Sequence, residues 1–291
     1  MTLSALLLAA ALAPAFAESK ALVVQIELDR AGYSANALDG AWGAKSRRAA
    51  AAFLAAQGVK PTTSAALEPD WLYDNVFKQC ARNPYRVEIV TAADLAALVA
   101  IPDAPEEKER LERLGYESIK EMFAERGHLT ERALERLNPG VDWSNVAVGT
   151  RIRLPDFAAA APTNEAACVR ISLSRFEIRA EDADGRLLAL FPCSIARDKA
   201  ALPPQGELTI VTRIADPNYT LDRKYILPPG PNTPVGTVWL GLSLPGYGIH
   251  GTPRPETIGR AESHGCFRLA NWNAARLYAL VRAGTRVVIE E

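Results

Sequence analysis

The chain has 291 residues, enough for two or three domains that each bury a core, since ~100 to 200 residues per domain is usual. Apolar residues make up 48% and charged residues 23%, with 19 glycines and 20 prolines, which excludes a collagen, a coiled coil and a wholly disordered chain. A formal net charge of -1 gives no long-range field for polyanions, which argues against nucleic acid or an anionic membrane surface as the main partner. There are only four cysteines and no Cys-x-x-Cys pair, so neither a disulfide scaffold nor a zinc or thioredoxin-like motif is indicated.

Residues 3–13 are continuously small or apolar, and Pro14 then precedes the small-x-small triplet Ala15-Phe16-Ala17. This is the layout of a secretory signal peptide over 1–17, cleaved after Ala17, although no Lys or Arg precedes the apolar run. The run falls well short of the ~20 apolar residues of a membrane helix, and nothing later in the chain approaches that length, so no membrane span is expected. The expected location is outside the cytoplasm, in the periplasm or cell envelope, where spare thiols tend to pair.

Residues 21–58 read as two short helices. Val24, Leu28 and Ala31 keep helical spacing, Gly32 ends the first helix, Asp39-Gly40 is turn chemistry, and a second helix runs over about 45–57 with Gly58 as its stop. With Gln25, Gly32-Tyr33, Asp39-Gly40-Ala41-Trp42-Gly43, Ala49 and Phe53, this segment resembles the small helical peptidoglycan-binding module, assigned to 18–60. A connector over 61–84 carries Trp71, Tyr73, Phe77 and Cys80 and offers no chemistry.

Alternation at Tyr85, Val87 and Ile89 predicts a strand. A Pro- and charge-rich insertion over 102–113 follows. Two helices come next, one opened by a Ser118/Glu121 capping box and one running from Thr130 to Leu137-Asn138-Pro139. The stretch Gly149-Thr150-Arg151-Ile152-Arg153-Leu154-Pro155 closes the unit as a second strand. Strand, two helices, Leu-Asn-Pro and strand are similar to a LysM module over 85–156, with the insertion as the departure. The resemblance implies recognition of N-acetylglucosamine-containing glycans.

A small-residue linker over 157–167 leads to a different kind of chain. Alternating or apolar runs over 169–173, 176–179, 187–191, 208–212, 237–242, 248–250 and 286–289 predict strands, and one helix follows Asn271, read as its cap, and ends at Gly284. The expected fold class is therefore multidomain: a small all-α module, an α+β LysM-like module, and a mostly β domain with a minor helix over 168–291.

The chain has three histidines, and two of them fall in a window with Cys266: Gly248-Ile249-His250-Gly251-Thr252-Pro253, a loop, then Glu262-Ser263-His264-Gly265-Cys266-Phe267-Arg268-Leu269. A cysteine attacks through its thiolate, which an adjacent base or a nest of N–H groups favours. His250 is placed to accept the thiol proton, and Gly265 leaves room for backbone N–H groups near Cys266 to face an oxyanion. Zinc held by His250, His264 and Cys266 is the rival, but His264 and Cys266 are only two apart, a cramped spacing for two ligands of one ion. No cofactor is called for.

The same window resembles the active-site signature of the YkuD-type L,D-transpeptidases, and Pro228-Pro229-Gly230-Pro231-Asn232-Thr233-Pro234-Val235-Gly236 resembles the loop before it. The resemblance implies a β-sandwich, with Cys266 as nucleophile, His250 as base and the Gly251 carbonyl orienting the imidazole. It implies further that Ser263, His264 and Gly265 shape the oxyanion loop, and that Thr252 and Arg268 bind substrate. The implied partner is peptidoglycan, through its stem tetrapeptides and glycan chains. The implied reaction releases D-Ala and forms 3-3 cross-links through a thioester. Carboxypeptidase action and D-amino-acid exchange at the same site stay open as alternatives, as does a non-catalytic wall-binding protein. Cys168 and Cys193 are candidates for a bridge, which would leave Cys80 unpaired.

Overall fold

The computed structural model describes residues 19–79, 83–157, 164–263 and 265–291. The expected signal peptide, Cys80, most of the small-residue linker and His264 lie outside the described residues. Packing divides the chain into two compact units, Met1–Leu98 with Tyr116–Ala159, and Val99–Gly115 with Ala160–Glu291.

The first unit opens with α1 (Lys20–Arg30) and α2 (Ala44–Ala56). Buried Gln25 ties the intervening loop to α1, because its Oε1 accepts from Gly40 N at 2.8 Å and its Nε2 donates to the Ala41 carbonyl at 2.9 Å. The connector is helical, with α3 (Pro69–Leu72) running into a π turn at Tyr73–Phe77. The Phe77 ring lies 5.3 Å from that of Phe53. Next come β1 (Tyr85–Ile89), α4 (Ala92–Ala96) and α5 (Pro105–Lys108), the last in the stretch that packs with the second unit. Helices α6 (Ile119–Arg126) and α7 (Glu131–Leu137) precede β2 (Arg151–Pro155), which pairs antiparallel with β1.

Two local expectations are corrected here. At α6, Ser118 Oγ accepts from Glu121 N, but the Glu121 carboxylate takes Glu117 N rather than Ser118 N, so only half of the capping box forms. The full box stands at Thr91/Asp94. The helical hairpin and the strand–helix–helix–strand unit also do not have separate cores: Leu22, Ile26 and Leu38 pack with Met122, Phe123, Leu134 and Ile152. A module of about forty residues buries too little surface to stand alone, which gives a physical reason for the shared core.

The second unit carries one eight-stranded sheet. Its strands are β3 (Cys168–Ser172), β4 (Glu177–Glu181), β5 (Leu187–Pro192), β7 (Gly206–Ala215), β10 (Val238–Leu242), β11 (Gly248–His250), β13 (Phe267–Arg268) and β14 (Arg286–Glu290), in the order β13-β11-β10-β7-β14-β3-β4-β5. Short strands β6 (Ile195–Ala196) and β12 (Ala261–Ser263) pair with each other, as do β8 (Tyr219–Leu221) and β9 (Tyr225–Leu227). The long strand β7 pairs over 206–209 with β14 and over 210–215 with β10, so it passes between two halves of the sheet. One core joins Val169, Ile171 and Phe191 of one half to Leu240, Ile249 and Phe267 of the other, the arrangement of a sandwich whose corner strand belongs to both faces. Helix α8 (Asn271–Leu280) buries Leu277 and Leu280 in the same core.

The bridge between Cys168 and Cys193 does not form, and both residues are buried. Strand β4 separates their strands, and Cys168 pairs with Glu181 at one end of β4 while Pro192, next to Cys193, pairs with Glu177 at the other. Two strand spacings alone come to about 9.6 Å, beyond the ~7 Å limit for bridged Cα atoms.

Candidate active site

Strand alternation and register assemble the site. Strands β11 and β13 run parallel with Ile249 opposite Phe267 and His250 opposite Arg268. Ile249 and Phe267 enter the core, so their neighbours along each strand point the other way, which places His250, Cys266 and Arg268 on one face. On β10, Trp239 lies opposite His250, and the two rings stack at 5.7 Å with 20° between their planes. That face is the floor of a cleft of ≈ 600 Å³ lined by His250, Cys266, Trp239, Thr252, Ser263 and Arg268, within the range of small-molecule sites.

His250 is 6% exposed, and its Nδ1 lies 2.6 Å from the Gly251 carbonyl oxygen. A carbonyl can only accept, so Nδ1 carries the proton and Nε2 presents its lone pair. Burial holds the imidazole down to about 4; the Gly251 carbonyl acts in the opposite direction and Arg268 reinforces burial. His250 is thus a neutral base throughout the physiological range. Burial pushes the Cys266 thiol up, against a weaker backbone hydrogen bond from Gly248, and Sγ donates to the Gly246 carbonyl at 3.7 Å. The resting pair is therefore thiol and neutral imidazole.

The turn around the cysteine is held internally. Ser263 Oγ donates to the Cys266 carbonyl at 2.6 Å and accepts from Gly265 N at 3.4 Å. Thr252 is buried, with Oγ1 accepting from Arg254 N. Arg268 is 9% exposed and lies 3.6 Å from Glu262, while its Nε and Nη2 have no hydrogen-bond partner among the described residues. A buried guanidinium with unmatched N–H groups is costly unless something binds it. Arg197, Arg254 and Arg268 also line an adjoining pocket of ≈ 500 Å³.

Several residues of the site were given no role in it by the sequence. Trp239 lies in an expected strand, but its contact with His250 depends on strand pairing that no local pattern announces. Tyr219, Leu221 and Asn232 line the cleft from β8 and from the 228–236 loop. Asn271 has a role other than the expected one. The helix cap is Ala270, and the Asn271 Nδ2 donates to the Pro231 carbonyl at 3.1 Å while its Oδ1 accepts from Thr237 N at 3.4 Å. Its amide lies against Gly251, where an added Cβ would stand 2.3 Å from Oδ1. Asn271 therefore accounts for the glycine that must follow His250.

Residues 167–289 match the YkuD family, described as the L,D-transpeptidase catalytic domain. The chain is 34% identical over 160 residues to a Bacillus licheniformis protein named L,D-transpeptidase YkuD, covering 55% of this chain and 86% of that one. It is 36% identical over 95 residues to Bacillus subtilis YqjB, which bears the same enzyme name, covering 31% of this chain and 53% of that one. Among solved structures, an L,D-transpeptidase from Mycobacterium tuberculosis aligns with 50% of this chain and 75% of its own at 18% identity, with a TM-score of 0.37. No helix among the described residues is long and apolar enough to cross a membrane. With one-third identity sustained over most of the Bacillus licheniformis protein, the chain belongs to the YkuD family of L,D-transpeptidase enzymes.

Proposed function

We propose that Cys266 and His250 carry out L,D-transpeptidation on peptidoglycan stem tetrapeptides. The observation that carries this reading is the fixed tautomer of His250: a Gly251 carbonyl on Nδ1 leaves Nε2 as the base, in the cleft that holds the Cys266 thiol. His250 takes the thiol proton as Sγ attacks the carbonyl of the third stem residue and the S–C bond forms. The tetrahedral intermediate collapses, the C–N bond to the terminal D-Ala breaks, and the imidazolium returns its proton to the departing amine. An acceptor amine then attacks the thioester and regenerates the thiol, leaving a 3-3 cross-link. Ser263, His264 and Gly265 shape the oxyanion loop in this reading, Thr252 lines the substrate path, and Arg268 meets a substrate carboxylate with its unmatched N–H groups. The first unit binds the glycan as peptidoglycan-binding and LysM-like elements, and the protein is exported to the periplasm or envelope.

The test is to incubate purified protein with disaccharide-tetrapeptide and to follow product masses beside Cys266→Ala. Loss of D-Ala with dimer formation is expected. Tripeptide alone would make the enzyme a carboxypeptidase, D-amino-acid incorporation an exchange enzyme, and no Cys266-dependent change would overturn the enzymatic reading.

A further inference from the structure

The insertion that departs from the LysM pattern belongs to the second unit, although it interrupts the sequence of the first. The chain leaves the first unit after Leu98, contributes Val99–Gly115 to the second, and returns at Tyr116. Within the second unit these residues meet the elements that form one wall of the catalytic cleft. Leu114 is 1% exposed; its N–H donates to the Pro229 carbonyl at 2.8 Å and its carbonyl accepts from Asn232 N at 3.1 Å. Asn232 Nδ2 donates to the Gly115 carbonyl at 2.9 Å. Glu109 Oε1 accepts from Ile226 N of β9 at 2.9 Å, and Arg113 pairs with Asp216, just before β8, at 2.7 Å. The fit at Gly230 is close: it has φ +144°, and a Cβ there would stand 2.1 Å from the Leu114 carbonyl oxygen.

These contacts fall where support is needed. Among the described residues, strands β8 and β9 pair only with each other, and an isolated two-stranded hairpin is marginal in water. The 228–236 loop has four prolines, so it has few N–H groups of its own with which to fix its course. Yet hairpin and loop together supply Tyr219, Leu221, Asn232, Pro234 and Val235 to the cleft. We propose that Val99–Gly115 is a positioning strap that holds the β8–β9 hairpin and the 228–236 loop in place as the donor-binding wall of the cleft. The identity of the donor as a stem tetrapeptide rests on the function proposed above. The strap acts on binding, while the chemistry of the Cys266–His250 pair is set by β10, β11 and β13.

The experiment uses the full chain with Gly230→Ala, which drives loop and strap apart, and Glu109→Ala, an exposed position that removes one acceptor without burying anything. Glu109→Gln keeps an acceptor oxygen and is the rescue variant. Binding of disaccharide-tetrapeptide is measured by calorimetry in a Cys266→Ala background, amide exchange is followed at Asn232 and Ile226, and the pH profile of Cys266 alkylation by iodoacetamide is recorded with the thiol present. Gly230→Ala is expected to weaken binding about tenfold and Glu109→Ala about threefold, the scale of one lost hydrogen-bonded contact. Glu109→Gln should stay near wild type, and the alkylation profiles should superimpose. Faster exchange with binding unchanged would overturn the positioning role, unchanged exchange would overturn the strap itself, and a shifted alkylation profile would move its action to the chemistry. Binding that depends on Gly230 in a protein that never releases D-Ala would sink the functional reading and leave the strap standing. Tetrapeptide that binds to none of the variants would sink both.

Discussion

Two buried asparagines at helix ends, Asn138 in the first unit and Asn271 in the second, use the same chemistry to different effect. Asn138 Oδ1 accepts from Arg153 N at 2.6 Å, and its Nδ2 donates to the carbonyls of Leu134 and Arg153. Those partners fasten the end of α7 to β2. Asn271 also binds main chain, through Pro231 and Thr237, but these partners are the cleft loop and the start of β10, and its amide lies against the residue whose carbonyl orients His250. A side chain of one type, buried and bonded to backbone, is thus structural in one unit and a positioning residue in the other. The difference lies in what its partners carry.

The largest effect is expected where the second network ends. His250→Gln should lower kcat/KM by about 10³-fold, within the usual range for removing a general base, while leaving the fold intact by circular dichroism. A loss of less than tenfold would remove His250 from proton transfer and leave the Asn271 network without a catalytic target. The same histidine makes the catalytic unit pH-sensitive. Its folded value, about 4, lies below the ordinary 6.5, so between those pH values the unfolded chain binds the additional proton. The stabilisation is complete above 6.5 and is lost as pH falls through about 4. By linkage the loss reaches about 3 kcal/mol at most. Urea titrations of wild type and His250→Gln should therefore converge as pH falls across this window. Parallel curves would show that burial does not depress the imidazole.

The Cys266–His250 pair was legible because both reactive groups sit in short motifs with glycines beside them, and alternation along β11 and β13 then fixes which face they share. The strands that carry the core, such as β3, β10 and β14, were equally legible, because apolar residues alternate with polar ones in β3 and run nearly unbroken in β10 and β14. Trp239, Asn232 and Asn271 were not, because their roles arise from pairing and loop contacts between positions far apart in the chain. The insertion reads as an irregular stretch for the same reason: Leu114 is ordinary in sequence and becomes informative only beside Pro229 and Asn232. The two-strand separation of Cys168 and Cys193 likewise needed the sheet order.

Asn271→Ala should reduce kcat/KM about 30-fold, the loss of roughly 2 kcal/mol when hydrogen bonds to the main chain are removed and a buried carbonyl is left unmatched. The reduction should appear in kcat, with a shifted pH profile for Cys266 alkylation, because the Gly251 carbonyl is no longer backed by the amide. A change confined to KM would place Asn271 with the binding wall instead.

Asn138→Ala completes the pair and has the smallest expected effect on catalysis. It leaves Arg153 N without its acceptor and frees the end of α7, at a cost of about 2 kcal/mol to the first unit. The thermal transition of that unit should shift down by a few degrees, whereas kcat/KM on a soluble tetrapeptide, per folded molecule, should stay within twofold of wild type. No cleft residue is among the hydrogen-bond partners of Asn138, so a large loss of turnover would require the first unit to act on the chemistry. The functional contrast between the two asparagines would then collapse.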